Sequence, residues 1–198
     1  MGKLWKDTVQ EHRSSVREAV LDAVARLVSQ GGVPAVSMTK VADVAGISRA
    51  TLYKYFPDVE ALLAAWHERQ VNQHLVHLDQ VRVHAERSGD PLQTLTSVLE
   101  AYAVMLQQAS RSEAPAFLHQ GPHAAQAQEH LRDFLEALIG SAVKTGAQEA
   151  GGGIRSDIAP RELALFSLHA VNAAAALPSA DAARSLVGVI VDGLVLRP

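Results

Sequence analysis

Residues 36–63 read VSMTKVADVAGISRATLYKYFPDVEALL, and the order of caps, glycine and aromatics in this stretch decides the fold. Ser37 is an N-cap residue whose hydroxyl takes an orphan backbone N–H, and Met38, Val41, Ala42 and Ala45 follow at helical spacing. That predicts a first helix of about two turns. Gly46 supplies the permissive backbone of a tight turn, Ile47 plugs the angle, and Ser48 caps a second helix from Arg49 to Phe56. The plan is helix-turn-helix.

Projected at about 100° per residue, the second helix places Leu52, Tyr55 and Phe56 on one apolar arc and Arg49, Ala50, Tyr53 and Lys54 on the other. The exposed arc suits DNA. Arg49 carries a planar donor fork that fits guanine or phosphate, Ala50 permits close approach and can touch a thymine methyl, and Tyr53 and Lys54 reach phosphate oxygens. Thr51 lies between the arcs as a second hydroxyl. An ordinary hairpin of a helical bundle, with Arg49 and Lys54 merely solvated, would show the same amphipathic pattern.

GISRATLYKYFPDVEALL, preceded by VADVAG, resembles the N-terminal DNA-binding domain of the TetR/AcrR family of one-component transcriptional regulators. The resemblance covers roughly residues 12–66 and rests on the helix-turn-helix, the Leu-Tyr-x-Tyr-Phe exit and the Glu-Ala-Leu-Leu helix that follows. It implies an all-α homodimer of about nine helices per chain, with a DNA-binding domain over residues 1–57 and an effector-binding and dimerisation domain over 58–198. In such a protein the second motif helix enters the major groove of a double-stranded, palindromic operator. Carried over by position, Ser37, Thr39, Arg49, Ala50, Thr51, Tyr53, Lys54 and Tyr55 supply base and backbone contacts. Two departures reduce the cation count: Asp58 and Val59 replace a frequent Ser-Lys pair, and Thr39 stands where arginine is common. A shallow salt dependence is therefore expected.

Composition fits a DNA-binding regulator of the cytoplasm. The 198 residues are 48% hydrophobic and contain no cysteine, which excludes disulfides, thiolate metal sites and cysteine catalysis. The polar start, MGKLWKDTVQEHRSSV, lacks the apolar core of a signal peptide. The apolar stretches 163–177 and 186–196 are too short to span a membrane and contain His169, Asn172 and Asp192. Net charge is −3, yet residues 1–60 hold eight Lys/Arg against seven Asp/Glu, and the remainder ten against fourteen. The acidity lies outside the reading head. Phosphate contacts must come from local placement of Arg49, Lys54, Lys40 and an N-terminal arm bearing Lys3 and Lys6, unless that arm is a free terminus.

Helical periodicity extends along the chain. Val16, Ala19, Val20, Ala23, Val24, Leu27 and Val28 form the stripe of a first helix stopped at Gly31-Gly32, and Asp58 caps a long fourth helix running toward His84. After a break at Ser88–Pro91, helices are expected over about 92–109, 124–148, 160–177 and 180–196. No strand-period segment or internal repeat occurs. The last two helices are apolar on more than one face, and the resemblance implies that they form a four-helix dimer bundle, with Ala173, Ala174, Gly188 and Gly193 permitting close approach. It also implies that a small molecule in the second domain shifts the fourth helix and moves the two heads out of register.

Trp66, Tyr102, Met105, Leu106, Phe117, Phe134, Phe166, His169 and Asn172 are candidate walls of an effector pocket, because pockets are mainly apolar with a few placed polar groups. A largely hydrophobic effector is expected. His67, His74, His77 and His84 form a stripe along the fourth helix, but its ends are about 25 Å apart and cannot share an ion. A metal-responsive alternative would need His119, His123 or His130. An enzyme is not expected: His67-Glu68 has Val71 where a zinc-binding H-E-x-x-H pair needs its second histidine. No cofactor is implied, and the remaining alternative is a helical scaffold without DNA binding.

Overall fold

A computed structural model describes residues 2–109, 122–146 and 153–196. All the regular structure described is helical, with eight α-helices against the roughly nine expected. The chain divides into two compact units within one long helix, the first reaching Gln70 and the second beginning at Val71.

The first unit opens with α1 (Gly2–Gly31), so the N-terminal segment is helical from Gly2 rather than a free arm. Its buried stripe is Val20, Leu21, Ala23, Val24 and Leu27, while Ala19 is exposed and Val16 half-buried. Relative to the periodicity, the inward face is shifted to include Leu21. Gly32, with φ 68°, turns the chain and donates its N–H to the Val28 carbonyl at 2.8 Å. A 3-10 turn (Val33–Ala35) leads to α2 (Met38–Ala45) and α3 (Arg49–Tyr53), and α4 (Val59–Ala85) begins in this unit. Met38, Val41, Ala42, Leu52, Phe56, Leu62, Leu63 and Trp66 complete a core that no single helix could close.

The structure ends α3 at Tyr53, three residues short of the expected Phe56. Pro57 explains this, since a residue before proline is disfavoured in the α region. Asp58 Oδ1 then accepts the Ala61 N–H at 2.8 Å and caps α4. Arg69 of α4 reaches back to Glu18 at 3.0 Å and Asp22 at 2.8 Å on α1, one guanidinium joining two carboxylates a helical turn apart.

In the second unit α5 (Pro91–Ala109) packs against α6 (Pro122–Gly146), α7 (Pro160–Asn172) and α8 (Ala180–Leu194). Leu95, Val98, Leu99 and Ala103 of α5 are fully buried against Leu135 and Ile139 of α6, Ala164 and Val171 of α7, and Val187 and Ile190 of α8. The helix expected over 160–177 tightens to a 3-10 turn at Ala173–Ala176 because Leu177, before Pro178, is extended. α8 stops at Leu194 because Val195 pairs with Ile154 in an isolated antiparallel bridge. The Arg155 N–H donates to the Leu194 carbonyl at 2.8 Å, and that of Leu196 to Gly153 at 3.2 Å. No helix among the described residues is long and apolar enough to cross a membrane.

Candidate nucleic-acid interface

The geometry of the motif follows from its local chemistry. Ser37 accepts the Lys40 N–H at 3.3 Å and starts α2. Gly46 ends it in the left-handed region at φ 68°, which costs a residue with a Cβ roughly 1–2 kcal/mol. The Ile47 N–H closes the turn on the Ala42 carbonyl at 3.0 Å. Ser48 then caps α3, accepting the Thr51 N–H at 3.1 Å, and its hydroxyl lies 2.9 Å from that of Thr51.

Leu52 and Phe56 are the anchors of α3, 0% and 2% exposed, and their burial turns the opposite side outward. Arg49, Ala50, Lys54 and Tyr53 are exposed there, with Thr39 and Lys40 exposed on α2. Arg49, Lys40 and Lys54 have no ion-pair partner among the described residues, so their charges remain available to an anion. Ser37, Thr51 and Tyr55 are half-buried. Tyr55 packs against the core of the unit, and the Thr51 hydroxyl is shared with Ser48. The eight residues therefore divide into an outer group centred on Arg49 and Lys54 and a supporting group.

Two arginines of α1 join the motif without being foreshadowed by spacing. Arg17 places its guanidinium 5.2 Å from the centroid of the Phe56 ring, and Arg26 donates to the Val44 carbonyl at 3.4 Å, near the end of α2. Both contacts need α1 folded across α2 and α3. Lys3 and Lys6 lie in the helical first turns of α1, and their side chains are outside the described residues.

The sequence profile of "Bacterial regulatory proteins, tetR family" matches residues 20–66, the segment that builds this reading head. Residues 20–66 carry a TetR-family DNA-binding domain. It is similar to an uncharacterised HTH-type transcriptional regulator of Mycobacterium tuberculosis, at 41% identity over 56 residues, 28% of this chain and 28% of that protein. It is also similar to the HTH-type transcriptional regulator AcrR of Shigella flexneri, at 33% identity over 100 residues, 50% of this chain and 43% of that protein. The chain thus spans less than half the length of these curated relatives. The fold likeness reaches further. A TetR/AcrR-family regulator from Thermobifida fusca superposes with a TM-score of 0.71 at 16% identity, covering 89% of this chain and 97% of that one. The transcriptional regulator FadR of Bacillus subtilis, solved in complex with stearoyl-CoA, gives 0.62 at 14% identity, covering 89% and 96%. TetR-family proteins are DNA-binding transcription factors rather than enzymes, and some are ligand-responsive.

The residues expected to wall an effector pocket occupy different settings within each unit. Trp66 lies in the core of the first unit, its indole N–H without an acceptor among the described residues. Tyr102, Met105, Leu106 and Phe134 pack half-buried against the core of the second, where burial pushes the Tyr102 phenol up to about 12. Phe134 lines a groove of about 430 Å³ with Arg82, Glu86, Asp90 and Thr94. Phe166, His169 and Asn172 face outward on α7, with Leu165 and Phe166 47% and 50% exposed. Phe117 lies outside the described residues. Near-uniform apolarity in α7 hid which side faced in, and the outward side is the one that carries Phe166.

The histidine stripe does not converge on a metal site: among the described residues no three His, Asp or Glu side chains are placed to hold an ion. His119 and the side chain of His123 lie outside them. Partial desolvation of the His74 ring on α4, then the neighbouring His77, holds its imidazole below the ordinary value of 6.5. Because the unfolded chain takes up that proton more readily, stability is full above about 6.5 and falls as pH drops through it. His74→Gln is expected to flatten this acid limb. Urea midpoints at pH 7.5 and 5.5 would measure it, and an unchanged difference between the two would remove His74 as its source.

Proposed function

We propose that this chain is a ligand-responsive transcriptional regulator that binds a palindromic operator as a homodimer, blocks transcription there, and is released by a small-molecule effector, all within the cytoplasm. The observation that carries the reading is the exposed side of α3, where Arg49, Ala50, Tyr53 and Lys54 are held outward by the buried Leu52 and Phe56, with neither cation paired to a carboxylate among the described residues. In this reading residues 1–57 are the reading head and 58–198 the effector and dimer domain. Paired heads must be spaced about one DNA turn apart. Support for a dimer comes from the apolar outer side of α7 and α8, where Leu165, Phe166 and Val189 are exposed beside Gly188 and Gly193. Ala173 is exposed there too, but Ala174 is buried in the subunit core and belongs to the fold of one chain. A small-molecule effector is supported by the ligand-bound FadR structure of similar fold.

Gel shifts on the promoter region upstream of the protein's own coding sequence test the reading. Arg49→Ala is expected to cost roughly 1–3 kcal/mol on the bound site and to relax its base preference, as loss of a bidentate guanine contact would. Lys54→Ala is expected to weaken all sequences alike and lower the salt slope by about one. No shift at low salt, with or without candidate effectors, would overturn the reading, and an unchanged affinity in Arg49→Ala would remove that residue from base recognition.

A further inference from the structure

A second groove, of about 600 Å³, lies in the second unit between the end of α4 and the start of α5. Its size falls in the usual range for small-molecule sites, roughly 300–1,000 Å³. The polar residues lining it are His77, Gln80, His84, Arg87, Ser88, Gln93 and Ser97. Among the described residues no aspartate or glutamate lines it. This sets it apart from the groove beside Phe134, where Asp79, Glu86 and Asp90 surround Arg82.

Arg87 is unusual among the arginines of this unit. Arg82 pairs with Asp79 and Glu86, Arg132 with Glu129, Arg155 with Asp157, Arg161 with Glu136 and Arg184 with Asp181. Arg87 alone has no carboxylate partner among the described residues, and it is the arginine that faces the acid-free groove. A guanidinium offers a planar fork of donors that matches a carboxylate, and a histidine ring and a primary amide each add an N–H donor. Val81 and Ala85 supply an apolar floor between these groups. A single guanidinium matches a single negative charge.

We infer that this groove binds a small organic carboxylate, its acid group held by Arg87 with the flanking imidazoles and amides, and its hydrocarbon body laid on Val81 and Ala85. The inference goes beyond the regulatory reading and stands apart from it, since it concerns binding alone. Hexanoate is a suitable probe, with hexan-1-ol as the neutral equivalent of its body. Titrating the full-length protein with hexanoate, at constant ionic strength, is expected to move the imidazole C–H resonances of His77 and His84 saturably, with a midpoint on the order of 1 mM. Arg87→Gln is expected to weaken the midpoint about tenfold or more, because a charge-assisted hydrogen bond is lost. Arg87→Lys should recover part of it by restoring the charge. Arg184→Gln, which alters an arginine away from the groove, should leave it unchanged. Both Arg87 and Arg184 are exposed, and thermal melts would establish that the variants fold. Absence of a saturable shift, equal binding of hexan-1-ol, or a wild-type midpoint in Arg87→Gln would each overturn the inference. Because no DNA enters the measurement, its failure would leave the operator reading untouched, and failure of operator binding would leave the groove untouched.

Discussion

Under the proposed dimeric reading, Val189→Asp is expected to yield a monomer and to abolish tight operator binding while leaving the fold of each chain intact. Val189 is 70% exposed, so the substitution removes little from the core of the second unit. It sits on α8 next to Gly188, on the outer side that α7 shares through Leu165 and Phe166. A Cβ on Gly193 would meet the Phe166 ring at 3.9 Å, so the ring already lies over the small-residue part of α8 and shapes that side. In a symmetric dimer each substitution enters twice, and two carboxylates would lose hydration in an apolar contact. The effective penalty is several kcal/mol per ion when no partner compensates it. A loss of that size raises the dimer dissociation constant by roughly a thousandfold or more. The two heads would then bind half-sites independently, losing the effective concentration that linkage supplies. Sedimentation equilibrium gives the mass, and a gel shift on the operator gives the functional loss. Val76→Asp is the control, since Val76 is 58% exposed on α4, away from that surface in sequence and helix. A Val189→Asp protein that remains dimeric with normal affinity would remove this side of α7 and α8 from the interface.

The second large effect is expected inside the reading head. Leu52→Ala should destabilise the first unit by roughly 2–5 kcal/mol, the range for truncating a buried leucine, because Leu52 is 0% exposed and fills the centre of a small core. α3 has five residues and cannot persist without tertiary contacts. Its orientation rests on Leu52 and Phe56, so the outward presentation of Arg49 and Lys54 fails with the anchor. Denaturation followed by tryptophan fluorescence is suitable because Trp66 lies in the same core. Operator affinity should fall with the population of folded heads and recover in part on cooling toward the temperature of maximum stability. Tyr53→Ala is a useful contrast: Tyr53 is 47% exposed, so its loss should change stability by no more than about 0.5 kcal/mol while still reducing DNA binding. A Leu52→Ala cost below about 1 kcal/mol would mean that the head is held by something other than this anchor.

Much of the reading head is local and was legible before folding. Ser37, Ser48 and Asp58 cap the helices they precede because a side-chain oxygen satisfies an N–H two or three residues away, a geometry that needs no tertiary structure. Gly46 was equally readable, since its left-handed backbone is a property of the residue and its neighbours. The end of α3 was less so. Helical spacing carried it to Phe56, whereas the restriction imposed by Pro57 returns it to Tyr53 and still leaves Phe56 buried. Tyr55 shows the limit of a projection: it belongs to the inner arc and packs half-buried, although its position in the family motif groups it with contact residues.

The effector side was legible only as composition. Apolar residues on several faces of α7 could be pocket, core or subunit contact, and periodicity does not separate these when polar residues are scarce. The fold separates them: Leu163, Ala164 and Leu168 point into the core and Phe166, His169 and Asn172 away from it. Arg87 has the same lesson in charge. Arg82 has Asp79 and Glu86 at helical spacing and meets both, whereas Arg87, with no ion-pair partner among the described residues, lines a groove that forms only when α4 and α5 come together.

By itself the sequence determined the helical class, the turn at Gly46, the capped helices around it and the identity of the side chains on α3, because each depends on interactions spanning a few residues. Only the tertiary structure decided that Arg17 sits over Phe56, that α7 turns Phe166 outward, and that Arg87 lines a groove between α4 and α5. Those outcomes depend on which faces meet across long separations in the chain, and the meeting is set by the packing of whole helices rather than by the preferences of any one segment.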